Sequence, residues 1–350
     1  MFKQGKATGL ISRTALVTLI LTLSLISSPS YAQETVADQL DAALSAYNDL
    51  EFDAGIEAAK AVLKRDDVAA KDSVVAYEIL SMLTYAKGES FFREAIGYLN
   101  KINDLGPCVV HLPRELWPAE LRTKWFEILN EHNKLNCPRD SKPGVPTVAI
   151  MEFDNFSIGE YQEKLAFIGK AMADWFRRDF GKISSLRVVE REKVDVVLKE
   201  LELQKSGVVD EATAVEAGKL LGVQYMVFGS VTQLDGKNAR MIVRTVSVET
   251  SEIVASVDRE GKPEFSKMEK ELVAELAKAL EVPVPEDEKA LLEEGGTDNY
   301  DATTLYSKGL EYMDRYEYRK AYEFFKKAYD LDNTFADAKR KMEIYQPLVG

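Results

Sequence analysis

Two cysteines, two histidines and a scatter of carboxylates are the residues that could do chemistry in this 350-residue chain. His111 falls in a Pro-rich loop and His132 near a predicted helix end, and neither has a close-spaced ligand partner of the kind zinc requires. No helix carries HExxH, no turn carries GxSxG, and no GxGxxG opens a helix. Carboxylate pairs such as Asp195 with Glu200 exist, but a chain with 58 acidic residues produces them by chance. The expectation is therefore a protein that is not an enzyme, with no metal and no cofactor. Cys108 and Cys137 are the exception. In an exported protein their default state is a disulfide, and closing a loop of this length would stabilise the fold by about 3–4 kcal/mol in the chain-entropy view. Two free buried thiols are the other reading.

Three further groups could make contacts rather than bonds. Tyr306, Tyr312, Tyr316, Tyr318, Tyr322 and Tyr329 crowd the C-terminal region. Either they fill a helical core, or Tyr306, Tyr316 and Arg319 lie on an exposed groove that holds a peptide, since aromatics and Arg are favoured at interface hot spots. Glu190 and Arg191 close a short strand, and Arg191 could pair with Glu200. They are a structural pair or an interface element. Phe153, Asp154, Gly229 and Ser230 sit at or near strand ends and are the candidate site of a small ligand or glycan.

The elements that position these groups fall into blocks. Residues 1–32 read as a secretory signal: Lys3, Lys6 and Arg13 precede the apolar run Ala15–Ile26, and Ser30-Tyr31-Ala32 is a small-x-small cleavage site. The apolar run is short for a membrane span, no later segment suits one, and no Cys follows for lipid attachment. Residues 33–137 show helical periodicity, with helices predicted at Ala37–Leu50, Asp53–Leu63, Ser73–Ala86, Phe91–Leu105 and Arg122–His132. After a linker at 138–145, residues 146–281 read βαβααβββα, opening with a buried strand at Val148–Phe153 and a long amphipathic helix at Tyr161–Phe180, a mixed sheet with helices against it and a closing meander. Residues 282–301 are an acidic, Pro- and Gly-containing linker expected to lack a core. Residues 302–350 form a helical hairpin. The fold class is thus a multi-domain α+β/α chain with a helical N-terminal domain, a central mixed-sheet α/β domain and a helical C-terminal repeat.

Residues Leu305, Gly309, Tyr312, Ala321, Phe325 and Ala328 resemble a tetratricopeptide repeat in type and spacing, with Asn333 where that family usually has Pro. The N-terminal block resembles two degenerate copies, with Gly55, Ala59 and Val62 in one and Ala95, Leu99 and Ile102 in the other. A lone C-terminal repeat needs another surface: the N-terminal repeats, the central domain or a second chain. The central block resembles the curli-secretion (CsgG-type) and TolB-N-terminal-like superfamily, through Val148-Ala149-Ile150, Phe153-Asp154, Val188-Val189-Glu190-Arg191, Leu198, Glu200, Ser206-Gly207, Gly218–Gly222 and Gly229-Ser230-Val231. That resemblance implies an exported, mostly non-enzymatic protein of secretion channels, basal-body rings or wall-synthesis activators. The turns at Asp235-Gly236 and Glu249–Ser251 are too short for the barrel-forming hairpins of the curli channel.

The net charge of −13 at pH 7 becomes more negative once the three leader cations are removed, which argues against nucleic acid as a partner. The expected function is a periplasmic, Gram-negative-type scaffold or assembly factor for a cell-envelope or secretion complex. Its partners would be envelope proteins or peptides, with self-association of the central domain. A ligand- or glycan-binding accessory protein is the alternative. For the cysteines, alkylation of the exported protein without prior reduction should label neither Cys108 nor Cys137, and mass spectrometry should recover their linked peptides. Labelling of both would reject the bridge.

Overall fold

Apolar residues at three- and four-residue spacing fold the first block of the chain into helices α1 (Val36–Asn48), α2 (Phe52–Val62), α3 (Ala70–Ala86), α4 (Phe92–Leu105) and α5 (Ala119–Glu131). The computed structural model describes residues 34–349 apart from 109–111, 114–115, 137–143 and 202–210. The leader, His111, Cys137 and Ser206-Gly207 lie outside the described residues, as do the side chains of Glu200 and of residues 211–214. Helix α3 is buried on nearly every side, from Val74 through Ile79, Leu80 and Leu83 to Thr84. The hairpin α1–α2 and helix α4 pack on it, and Trp117, Trp125 and Phe126 complete this core.

The central block alternates strand and helix: β1 (Thr147–Ile150), β2 (Asp154–Asn155), α6 (Glu160–Lys164), α7 (Ile168–Gly181), β3 (Arg187–Val188), α8 (Arg191–Glu200), α9 (Glu211–Leu221), β4 (Tyr225–Gln233), β5 (Ala239–Ser247), β6 (Ile253–Gly261) and α10 (Phe265–Ala279). The sheet order is β3-β1-β4-β5-β6, with β2 also pairing β4. Strands β3, β1 and β4 are parallel; β4, β5 and β6 form the antiparallel meander expected from their short turns. Two departures from the sequence reading share one cause. The run Val148–Phe153 is not one strand, and Tyr161–Phe180 is not one helix but α6 and α7. Phe153 leaves the sheet and docks against Gly169 on the first turn of α7, its backbone N–H donating to the Gly169 carbonyl at 3.4 Å. A Cβ at position 169 would lie 1.8 Å from the Phe153 oxygen, so the strand break and the helix start depend on the same glycine.

Helices α7 and α10 cover one face of the sheet around Trp175, Phe176, Phe180, Val243 and Leu272. Helices α8 and α9 cover the other face over β1 and β4, around Ala149, Val197, Leu198 and Met226. Helices α11 (Glu286–Leu292), α12 (Tyr300–Asp314), α13 (Tyr318–Leu331) and α14 (Ala336–Tyr345) follow. Among the described residues, no helix is long and apolar enough to cross a membrane.

The C-terminal helices pack on both of the chain's own blocks. Tyr306 lies between Trp175 of α7 and Phe325 and Phe335 of its own block, at centroid distances of 6.2, 5.4 and 4.9 Å. Its hydroxyl donates to Asp174 Oδ2 at 2.7 Å. On the other side, the Tyr318 hydroxyl accepts from the Glu120 backbone N–H at 3.0 Å, and Tyr85 reaches both residues. The whole of Val36–Gly350 forms one compact unit.

The acidic segment 282–301, expected to lack a core, is clasped. Val282, Leu292 and Thr297 are buried. The reason is electrostatic: Lys182 donates to the Leu291 and Glu294 carbonyls at 2.7 and 2.9 Å, and Lys270 to those of Leu292 and Glu294 at 2.5 and 3.0 Å. Lysines thus satisfy the orphan carbonyls at the end of α11.

Arg178 ties these pieces together. Its guanidinium meets Asp179 at 2.7 Å, Glu269 of α10 at 3.4 Å and Asp337 of α14 at 2.5 Å. Burial opposes the charge of Asp179, but Arg178 and Lys182 overcome it and hold its carboxyl below the usual range. Burial, with Asp179 alongside, pushes Glu269 well above that range. Replacing Arg178 by Met should cost about 3–5 kcal/mol in denaturant-induced unfolding, because it strands buried carboxylates. A loss under 1 kcal/mol would show that the cluster contributes nothing net.

Candidate functional site

Where β1 ends, the chain leaves the sheet and re-enters it, and this detour opens a cleft of about 960 Å³. Met151 still donates to Val227 O at 2.9 Å; Phe153 then turns inward, and β2 resumes pairing with Asp154 opposite Ser230. The Phe153 ring lies 5.0 Å from Phe176 and over Gly229, where a Cβ would come within 2.1 Å of it. Gly229 therefore makes room for an aromatic ring, rather than for a neighbouring backbone. The alternation places Asp154, Ser230, Phe228 and Phe156 on the cleft side. Helix α5 contributes Glu120, Thr123 and Lys124 to the wall, and the corner between α12 and α13 brings Asp314 and Tyr316.

A chain of charges runs along the floor. Arg191 opens α8 and meets Asp314 at 2.5 Å, Asp195 at 3.6 Å and Glu192 at 3.9 Å. Lys170 meets Asp314 at 2.7 Å, Glu152 at 3.1 Å and Glu311 at 3.5 Å. Glu192 in turn accepts from the buried Arg122 at 2.7 Å. Burial works against the charges of Asp314 and Glu192. Arg191 and Lys170 outweigh it at Asp314, which stays below its usual range. Arg122 and Arg191 hold Glu192 down to about 2. Asp195 is different: burial, with Glu192 and Asp314 nearby, pushes it up to about 6 despite Arg191. Burial also raises Asp154, against the pull of Arg244. Arg177 donates to Ile150 O at 3.3 Å, and burial lowers its affinity for its proton although Asp174 opposes this.

Several candidates from the sequence meet here. Phe153, Asp154, Gly229, Ser230, Arg191 and Tyr316 all line this one cleft. Tyr316 sits at φ 60° and is 38% exposed, in keeping with the groove reading. Tyr306 does not belong to any exposed groove: it is fully buried in the aromatic seam with α7. Arg319 is exposed on α13 but does not line the cleft. Glu190 is the N-cap residue of α8. Arg191 pairs across the block boundary with Asp314; its suggested pairing with Glu200 falls on a side chain outside the described residues. Cys108 is described and Cys137 is not, so their pairing stays an expectation. His132 bonds the Ile128 carbonyl at 2.8 Å at the end of α5. No group of three or more His, Cys, Asp or Glu side chains among the described residues is placed to hold a metal.

Sequence reasoning missed Lys170, Arg177 and Asp314. The first two lie on what reads as the solvent stripe of an amphipathic helix, and nothing local says that another block covers it. Phe156 is 57% exposed, with Ile158 at 55% and Leu234 at 57%. Ile158 and Phe156 continue β2 along β4, donating to Gln233 O and Val231 O. The period-two alternation puts Phe156, Ile158, Leu234, Phe228 and Ile242 on one sheet face.

The family model of the curli production assembly/transport component CsgG matches residues 139–242. The match covers the first two thirds of the α/β block, including the strand break at Phe153 and the whole of β4. Among solved structures, the LpoB C-terminal domain from Salmonella enterica is 13% identical and covers 35% of this chain and 87% of that one, at a TM-score of 0.27. The LpoB C-terminal domain from Escherichia coli is 12% identical over 39% of this chain and 92% of that one, at 0.28. A PelC dodecamer from Paraburkholderia phytofirmans is 16% identical over 41% of this chain and 95% of its own, at 0.25. No curated protein matches the chain.

The raised Asp195 makes a testable pH signature. Its folded pKa of about 6 lies above the ordinary 3.8. Ionisation therefore disfavours the folded state, and the penalty grows as pH rises between those values and persists above them. Asp195→Asn removes it, so the melting temperature of the variant relative to the parent should rise from pH 4 to pH 7. A difference that stays flat across that range would refute the assignment.

Proposed function

We propose that this chain is an exported, non-enzymatic scaffold or assembly factor of the cell envelope, working through protein contacts at the sheet face beside the cleft. The observation that carries the reading is the patch of Phe156, Ile158 and Leu234, each more than half exposed on the part of the sheet face that α8 and α9 leave open. Monomeric surfaces seldom leave contiguous apolar groups uncovered without a partner. The CsgG-type match over 139–242 supports an envelope or secretion setting and a non-catalytic role. The apolar run behind Lys3, Lys6 and Arg13 supports export to the periplasm. The helical hairpins, tetratricopeptide-like in spacing, brace the α/β block on two sides and extend the surface available to protein or peptide partners. Tyr316 stands where such a partner would enter the cleft, with Arg319 further along the same helical block. Self-association through the uncovered face is part of this reading, as is the Cys108–Cys137 bridge.

A second reading has its own observation. Phe153, Asp154, Gly229 and Ser230 converge on a cleft of about 960 Å³, within the range of small-molecule sites. A glycan or small ligand there would raise the melting temperature of the parent, and Ser230→Val would reduce the effect.

The two readings separate through Phe156. Its side chain is exposed, so Phe156→Asp should leave the melting temperature within a degree or two of the parent. The same variant should lose the envelope proteins that co-purify with the tagged parent chain, or lower its mass by light scattering. An unchanged partner set and an unchanged mass would overturn the contact reading. Removing residues 302–350 is not a usable control, because that block supplies Tyr306, Phe325 and Phe335 to the shared core.

A further inference from the structure

Arg177 and Arg191 also line a second cleft, of about 590 Å³, bounded by α7, the edge strand β3 and α14. Its walls carry eight cationic side chains against four acidic ones, in a chain whose net charge is −13. Most of those acids already have partners. Asp174 accepts from Lys341 at 3.1 Å and from the Tyr306 hydroxyl at 2.7 Å. Glu192 accepts from Arg122 at 2.7 Å. Asp337 accepts from Arg178 at 2.5 Å and from the Gly296 N–H at 2.7 Å. Two cations are left over. Arg177, in the wall, spends one N–H on the Ile150 carbonyl and has no ion pair among the described residues. Arg340, exposed at the mouth, likewise has none among the described residues.

We propose that this cleft binds a small multivalent anion bearing carboxylate or phosphate oxygens, held by Arg177 in the wall and Arg340 at the mouth. The guanidinium fork is the donor geometry both oxygen types accept in pairs. A recess with surplus positive charge and protein walls focuses the local field, which concentrates anions even in an acidic protein. The volume suits a small molecule, and the acidic remainder of the surface repels long polyanions. Burial already disfavours the charge on Arg177, so an anion that neutralises it would stabilise the folded chain by linkage.

The test uses the full mature chain with inorganic phosphate, pyrophosphate and citrate, each at ionic strength held constant with sodium chloride. At least one anion should raise the melting temperature saturably, and calorimetry should give one site per chain. Binding of citrate alone assigns a carboxylate ligand; binding of phosphate or pyrophosphate alone assigns a phosphate one. Arg340→Gln, at an exposed position, should keep the unliganded melting temperature and weaken the anion about tenfold, the effect of one lost charge-assisted contact. Arg177→Gln should abolish the response. No saturable response to any of the three anions would overturn the proposal, as would an equal response in Arg340→Gln and parent.

Discussion

A guanidinium can be buried only where carboxylates meet it, and the carboxylates around Arg178 come from three separate stretches of chain. Asp179 lies beside it on α7, Glu269 on α10 and Asp337 on α14. The cluster therefore closes only when the sheet-covering helices and the C-terminal helices are all in place. The two neighbouring carboxyls are driven in opposite directions: burial and Asp179 raise Glu269, while Arg178 and Lys182 hold Asp179 down. One turn away on the same helix, Trp175 meets Tyr306 of α12 and Phe335 ahead of α14 in an aromatic seam. Helix α7 thus supplies two surfaces, one to the sheet and one to the C-terminal block.

The cleft follows from that docking. Asp314 and Tyr316 reach it because Tyr306 and Tyr318 fix α12 and α13 against the other two blocks. Once there, Asp314 holds Arg191 and Lys170 at hydrogen-bond distance, and Arg191 extends the chain of charges to Asp195. Each pair spans a block boundary or the start of a helix, so the arrangement is rigid in a way that surface ion pairs are not. The segment 282–301 belongs to the same logic. Its acidic sequence reads as solvated, but Lys182 and Lys270 need acceptors, and the end of α11 provides carbonyls.

What could be read in the sequence was what local periodicity encodes. The helices of the N-terminal block, the meander and the order of the α/β block follow from apolar spacing and turn residues. The break at Phe153 did not, because it depends on the absence of a Cβ at Gly169 and Gly229, and a strand pattern shows only continuous apolarity there. Tyr306 illustrates the same limit: on its own helix it is a polar aromatic free to face water, and only Asp174, 132 residues away, gives its hydroxyl a buried partner. Phe153, Asp154, Gly229 and Ser230 read as strand-end residues, and they share a cleft. Lys170, Arg177 and Asp314 were not found, because charge pairing between blocks leaves no periodic trace.

The two sides of the meander end show where contact is restrained and where it is permitted. Strand β6 is an edge, with a free row of backbone groups that could pair with another chain. It is dressed in charge: Arg240 pairs with Asp258 at 3.0 Å, and Arg259 with Glu271 and Glu275 at 2.9 and 2.7 Å. Those ion pairs add little stability, being well exposed, but they make edge-to-edge pairing costly. The β2 side has no such guard: Phe156, Ile158 and Leu234 stand exposed there together. The guard is confined to the later part of β6, since Ile253 and Val254 at its start are exposed as well. A face whose neighbours are held by Gly229, Phe153 and the Arg191–Asp314 pair is also pre-organised, so a partner would meet it without an ordering cost.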